Sequence, residues 1–177
     1  DNITAGNGIN TILGDEGLAT FDATGKLTLA ESTNLTKGAA DIFTLGGGTY
    51  HVIAGAGSET ITLGAGTNYV IGDAGRFRVN ADGTTTIETL ITALAGADTI
   101  SVGEGFNVVV GGDGVDTVTV QSASVTNAKA IVLGDNGTLT LSSGGILLSA
   151  ESRDFAIGAN DTITVTSGIN AIIGGKG

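Results

Sequence analysis

The chain has 177 residues, 31 of them glycine, and it contains no Pro, Cys, Met or Trp. The lack of Cys excludes disulfides and thiolate metal sites, and the formal net charge of −11 argues against nucleic acid or an anionic membrane surface as a partner. No signal peptide is evident, and no apolar run approaches the length that crosses a bilayer. A core of Ile, Val, Leu and Ala with so few aromatic residues is typical of a repetitive fold.

One phrase of strand, glycine-rich turn, strand and turn recurs from the first residue, which suggests a segment of a longer array. Its copies begin at Asp1, Asp41, Glu59, Asp98, Asp116 and Asp161. The intervals 41 to 59 and 98 to 116 are 18 residues each. Alternation places these residues inward: Ile61, Val70, Ile100, Val109, Val118, Ile163 and Ile172. The pattern predicts an all-β parallel solenoid whose coils stack about 4.8 Å apart.

The three wider intervals, 1 to 41, 59 to 98 and 116 to 161, each hold one extra element. These elements, at 18–33, 76–92 and 138–152, have the pattern strand, turn, strand. The simplest interpretation makes every third coil a longer variant of about 22 residues, which gives about nine coils in a rod about 43 Å long. The alternative is a hairpin that stands off the solenoid. Either way we expect one domain, 1–177, of three super-repeats at about 1–58, 59–115 and 116–177.

The acidic residue that begins each copy falls on one edge of the solenoid. Two like charges about 5 Å apart repel by about 3 kcal/mol at an effective dielectric of about 20, so a hard cation with oxygen ligands is expected there. We predict calcium sites at Asp41/Glu59, at Asp98/Asp116, and at Asp161 with the next unit, while Asp1 begins the same column. Secondary candidates are the acids of the other glycine turns: Asp15, Asp73 and Asp135. The alternative is that water and salt screen exposed acids that only cap turns.

The stretch GGDGVDTVT at Gly111–Thr119 resembles the RTX (repeats-in-toxin) nonapeptide GGxGxDxUx, with Val118 as the apolar residue. The stretch at Gly55–Gly72 resembles two weaker copies. The resemblance implies a calcium-loaded parallel β-roll, and a secreted, extracellular or cell-surface protein of Gram-negative bacteria. It further implies that Asp116 is a carboxylate ligand and that a turn offers carbonyls, the turn being Gly111, Gly112, Asp113 and Gly114.

The opposite edge carries mostly asparagine at the equivalent position. Its members are Asn10, Asn68, Asn107 and Asn170, with Tyr50 and Ala130 as exceptions. Because amides are neutral, we expect a structural ladder of stacked side-chain hydrogen bonds on this edge rather than a second row of metal sites.

These features predict a structural protein: a stiff, calcium-stabilised spacer, extracellular filament or adhesin unit. It would assemble end to end with further coils of the same chain or of another subunit. His51 is the only histidine and the acids repeat with the coil, so we expect no enzyme and no small-molecule substrate. The alternative is a module that binds ice or glycan through outward threonine pairs, although longer coils would interrupt those columns. The pairs are Thr60/Thr62, Thr99/Ser101, Thr117/Thr119 and Thr162/Thr164.

Overall fold

The computed structural model describes residues 1–94, 96–121, 128–153 and 158–176. These residues form 18 strands and no helix, which confirms the all-β prediction. No helix that could cross a membrane is therefore found among them. The loop predicted within the sixth copy lies partly outside the described residues, at 122–127, as does Gly177.

Two parallel sheets of six strands each build the solenoid. The first sheet contains β1 (Asn2–Ala5), β5 (Ile42–Leu45), β7 (Thr60–Leu63), β11 (Thr99–Val102), β13 (Thr117–Val120) and β17 (Thr162–Val165). The second sheet contains β2 (Gly8–Leu13), β6 (Gly48–Ile53), β8 (Gly66–Ile71), β12 (Gly105–Val110), β14 (Lys129–Leu133) and β18 (Ile169–Ile173). Each coil contributes one strand to each sheet, so the described residues form six coils.

A dry core lies between these two sheets. Alternate side chains of the first sheet point into it, and Ile61, Ile100 and Val118 are each 0% exposed. Val70 and Val109 face them from the second sheet. The inward residues of the outermost coils are less covered, and Ile172 remains 49% exposed, because a strand at the end of a stack has a neighbour on one side only.

The extra elements are hairpins rather than coils, so the expected nine coils and every-third-coil arrangement are wrong. Their six strands form a third sheet, the hairpin sheet, whose neighbouring strands are antiparallel. Its members are β3 (Gly17–Phe21), β4 (Leu27–Ser32), β9 (Gly75–Val79), β10 (Thr85–Thr89), β15 (Gly137–Leu141) and β16 (Leu147–Ser152). Six coils at about 4.8 Å each span about 29 Å rather than about 43 Å.

The hairpin sheet covers the outer face of the second sheet and does not stand free. Val108 and Val110 of β12 point away from the solenoid interior and pack with Ile87, Leu139 and Leu141 of the hairpins in a second buried cluster. The second sheet is therefore buried on both faces over the C-terminal halves of its central strands. This explains why its strands contain continuous apolar runs, such as VVV at 108–110, while first-sheet strands alternate.

One hairpin occurs for every two coils of the solenoid. A hairpin follows β2, β8 and β14, which is every second coil. A hairpin is two strands wide and two coils are two strands deep, so all three sheets grow at the same rate along the axis. Each super-repeat, as bounded from the sequence, accordingly contains two coils and one hairpin.

Candidate metal centre

The acids that begin the copies form one continuous column just before the first-sheet strands. Backbone hydrogen bonds link consecutive positions in the order Asp1, Asp41, Glu59, Asp98, Asp116 and Asp161. Because no extra coil intervenes, Glu59 is followed directly by Asp98, and Asp116 directly by Asp161. The pairs expected from the sequence are thus parts of one column.

A backbone N–H of the preceding coil holds one oxygen of Asp98, Asp116 and Asp161, and the N-terminal ammonium of Asp1 takes that place at Asp41. The Glu59 nitrogen donates to Asp98 Oδ1 at 2.8 Å, and the Asp98 nitrogen donates to Asp116 Oδ1 at 2.8 Å. The Asp116 nitrogen donates to Asp161 Oδ1 at 2.9 Å, and the Asp1 nitrogen donates to Asp41 Oδ1. Each carboxylate is therefore oriented with its second oxygen left for another partner.

That second oxygen lies in an Asp–Gly cradle. We use this name for an aspartate Oδ2 enclosed by the glycine that ends one coil and by the carbonyl oxygen of the equivalent residue in the next coil. A Cβ built on Gly72 would overlap both Asp98 Oδ2 and the Gly111 carbonyl oxygen. Three equivalent cradles are present. The first joins Gly14, Asp41 and the Ala54 carbonyl; the second joins Gly111, Asp116 and the Gly134 carbonyl; the third joins Gly134, Asp161 and the Gly174 carbonyl.

The cradle oxygens are buried and lack hydrogen-bond donors. This holds for Oδ2 of Asp41, Asp98, Asp116 and Asp161. Among the described residues, no ion pair joins a Lys or Arg side chain to these carboxylates. Buried carboxylate oxygens beside backbone carbonyls and without donors are the ligand set of a hard cation. The residues therefore fit calcium by their chemistry and by the space that each glycine leaves.

Burial makes these carboxylates hard to ionise in the metal-free protein. Desolvation raises the pKa of Asp116 to about 8 and that of Asp98 to about 6, while backbone N–H groups partly oppose the rise. The pKa of Asp161 is also raised by burial. Burial raises the pKa of Glu59 to about 10, and the neighbouring Asp98 carboxylate adds to that shift. A bound cation would restore the charged form of each group.

A second row of acids lies beside the column, on every other coil. Asp15 Oδ2 accepts a hydrogen bond from the Ala56 nitrogen at 2.7 Å, and Asp73 Oδ2 accepts one from the Asp113 nitrogen at 2.5 Å. Asp135 accepts from the Lys176 nitrogen in the same way. These three aspartates are the secondary candidates for calcium ligands that were predicted from the sequence. Burial raises the pKa of Asp73 to about 9.

The other predicted residues have different positions. Gly111 forms a cradle, whereas Gly112 and Gly114 have φ values of 120° and 126°, which favour glycine. The Asp113 side chain is partly exposed, and its backbone nitrogen, as noted above, binds the second row. The Asp1 side chain is 83% exposed, so it begins the column without being enclosed.

The asparagines of the opposite edge form one direct contact rather than a continuous ladder. Asn68 Nδ2 donates to Asn107 Oδ1 at 2.8 Å, and both residues are buried. Asn10 is instead paired in register with Tyr50, and Asn170 with Ala130. The Asn68 and Asn107 amides also donate to turn carbonyls of their own coils, those of Gly64 and Gly103.

Sequence reasoning missed most of the cradle residues. Gly14, Gly72 and Gly134 were not named, nor were the carbonyls of Ala54 and Gly174. A signal was present, because a glycine directly follows the second-sheet strand in five of the six coils, with Ala54 as the exception.

The fold and the site together define a parallel β-solenoid with a carboxylate-lined metal edge. The family of the RTX calcium-binding nonapeptide repeat matches residues 51–76 and 92–120, in four copies. These two segments therefore match RTX repeats, as the resemblance implied, and the first includes the two weaker copies within Gly55–Gly72. Such repeats bind Ca²⁺ and occur in secreted bacterial proteins. No curated protein and no solved structure matched the chain.

Proposed function

We propose that this chain is a stiff, calcium-stabilised structural segment of an extracellular or cell-surface bacterial protein. The single observation that carries the proposal is the column of buried aspartates whose Oδ2 atoms have no donor. Without a cation, each aspartate is either protonated or carries a buried charge on an oxygen without a partner. Both states lower the stability of the folded protein at neutral pH. Millimolar calcium outside a cell would remove this cost, while the micromolar calcium of a cytoplasm would leave it.

Titration calorimetry of Ca²⁺ into chelator-treated protein tests the proposal, with Mg²⁺ as the control cation. Mg²⁺ demands near-octahedral geometry and retains its waters, so it should bind far more weakly at cradles built of fixed carbonyls. We expect about four ions, one for each cradle, and a higher melting temperature in calcium. Identical melting curves in calcium and in chelator would refute a calcium-stabilised segment.

The same proposal includes end-to-end growth through further coils of this chain or of another subunit. The outer edges of β1 and β2, and of β17 and β18, have the same strand pattern as internal coils and lack a further strand among the described residues. Sedimentation and negative-stain images of the purified segment distinguish further coils of the same chain from coils of another subunit. Concentration-dependent filaments support stacking of subunits, and a monomer at all concentrations supports a covalent array.

A second candidate function, binding of ice or glycan, is favoured by the outer face of the first sheet. Because the hairpins lie on the other side, the threonine columns are not interrupted as had been expected. One column contains Thr4, Thr44, Thr62, Ser101, Thr119 and Thr164, and the other contains Thr60, Thr99, Thr117 and Thr162. No charged residue lies on this face of a chain whose net charge is −11.

The size of this face argues against a protein partner of the segment alone. Six strands of four residues cover about 13 by 29 Å, so a symmetric dimer would bury less than about 1,000 Å² in total. Thermal hysteresis with Thr62→Lys, compared with the hairpin control Thr86→Lys, tests ice binding, and a glycan array tests the other ligand. Absence of both activities in the calcium-loaded protein would remove this candidate.

A further inference from the structure

The step of the acid column from the second coil to the third departs from the cradle pattern in two residues at once. The glycine that ends the coil is replaced by Ala54, and the aspartate that begins the next coil is replaced by Glu59. Ala54 supplies the Cβ that a cradle has no room for, so this step has no Asp–Gly cradle. The longer Glu59 side chain instead places its carboxylate with those of Asp73 and Asp98, at the following step.

The three carboxylates converge in the interior. One oxygen from each lies within 4.8 Å of the others, and each residue is 1% exposed. Four of the six oxygens have no hydrogen-bond donor, namely both of Glu59, Asp73 Oδ1 and Asp98 Oδ2. The remaining two are held by backbone N–H groups, so Asp73 and Asp98 are fixed with their free oxygens in the cluster.

This cluster differs from the other cradles in charge. Asp98 is also the aspartate of the cradle formed by Gly72 and the Gly111 carbonyl, so the cluster adds two carboxylates to an existing set of oxygen ligands. Second-row acids also lie near other cradles, Asp15 near Asp41 and Asp135 near Asp161, so the third carboxylate, that of Glu59, is what distinguishes this cluster. Among the described residues no Lys or Arg side chain forms an ion pair with the cluster.

We propose that Glu59, Asp73 and Asp98 form a three-carboxylate metal site that binds calcium before the other cradles and prefers a trivalent lanthanide to calcium. The inference rests on the proposed calcium function and specifies where loading begins. Affinity of oxygen-ligand sites rises with the number of charged ligands, and this site brings three carboxylates together. A trivalent ion gains more than a divalent ion from each added carboxylate, which gives the site its selectivity.

Stepwise titration of chelator-treated full chain with Ca²⁺, and separately with La³⁺, tests the order of loading. We expect one ion to bind at least about tenfold more tightly than the rest. Glu59→Gln and Asp73→Asn should each weaken that first ion by about 10- to 100-fold and leave the later ions in place. The matched control, Asp116→Asn, should remove one later ion and leave the first unchanged.

Localisation of the first ion provides a readout that is independent of affinity. One equivalent of diamagnetic La³⁺ should shift the amide NMR signals of Glu59 and Asp98 before those of Asp41 and Asp161. Circular dichroism of each variant in chelator verifies the fold, since each amide replaces a carboxylate of the same shape.

The outcomes separate this inference from the proposal on which it rests. A single class of calcium ions, unaffected by Glu59→Gln, would overturn the three-carboxylate site and leave calcium stabilisation standing. No binding of either ion by the wild-type chain would overturn both. La³⁺-induced shifts that come first at Asp41 or Asp161 would also overturn the assigned location.

Discussion

Replacing Asp116 by asparagine should have opposite effects on stability in the absence and presence of calcium. In the metal-free protein, burial raises the pKa of Asp116 from 3.8 to about 8. The folded state therefore binds more protons than the unfolded state between these values. Stability from this group is complete below about pH 4 and falls as the pH rises to about 8.

The magnitude follows from the same pKa values. From pH 4 to pH 7, about three pH units at about 1.4 kcal/mol each amount to a loss of about 4 kcal/mol. Asparagine does not titrate, its oxygen can still accept from the Asp98 nitrogen, and its amide can donate to the Gly134 carbonyl. The metal-free Asp116→Asn protein should therefore be more stable than wild type by up to about 4 kcal/mol at pH 7, and nearly equal to it at pH 3.

Calcium should reverse the order. The variant loses one calcium site, which contributes about 1.4 kcal/mol to stability at a calcium concentration ten times the dissociation constant. In wild type, bound calcium also removes the cost of the buried charge on Asp116, a gain that asparagine cannot have. Urea denaturation in chelator at pH 3 and pH 7, repeated in calcium at pH 7, measures each term. Asp82→Asn is the control, because Asp82 is a fully exposed turn residue whose pKa is lowered by the Thr84 hydroxyl. A variant that is less stable than wild type in chelator at pH 7, or a difference independent of pH, would refute the reasoning.

Three further predictions concern the cradles, the asparagine contact and the hairpin sheet. Gly111→Ala should reduce the number of calcium ions bound in calorimetry by one and lower the free energy of unfolding by about 1–3 kcal/mol, because its Cβ would overlap the Gly134 carbonyl. The control Gly174→Ala, whose Cβ meets nothing within 4 Å, should keep full calcium binding. Asn107→Ala should cost about 1–3 kcal/mol in urea denaturation through loss of the buried partner of Asn68. The control is Asn10→Ala in the first coil, whose amide makes an exposed 3.5 Å contact with the Gly6 carbonyl, and it should change stability by less than about 0.5 kcal/mol. Ile87→Ala, at a fully buried hairpin position, should cost about 2–5 kcal/mol, and equality with the exposed Leu148→Ala would show that the hairpins do not pack on the solenoid.

The coil could be predicted from the sequence because its signals are local. Alternation in TITL at 60–63 and TVTV at 117–120 gives the inward face, and the glycine turns set the strand ends. The hairpins were predicted as strand, turn and strand, and Gly25, Gly83 and Gly145 do adopt left-handed φ values in their turns. Their partners could not be predicted, because periodicity identifies a strand without saying which sheet it joins. The apolar run at 108–110 indicated cover on both faces and was the available signal.

The site divides in the same way. Asp98 and Asp116 were predicted from charge repetition and from the GGDGVD turn, since the chemistry of one column depends only on the repeat. The convergence of Asp73 with Glu59 could not be predicted, because the hairpin separates Asp73 from Asp98 by 25 positions while folding returns them to one turn. Substitution of glycine by Ala54 beside the only glutamate of the column was a sequence signal that this step differs.

The match between one hairpin and two coils restricts how such a protein can lengthen. Duplication of a DNA segment encoding two coils with their hairpin would leave all three sheets continuous, since each sheet gains two strands. Duplication of a single coil would add one strand to the first and second sheets and none to the hairpin sheet, which would expose a strip of apolar side chains such as Val108 and Val110. Related proteins with this architecture should therefore differ in length by whole multiples of about 58 residues, the length of one unit of two coils and one hairpin.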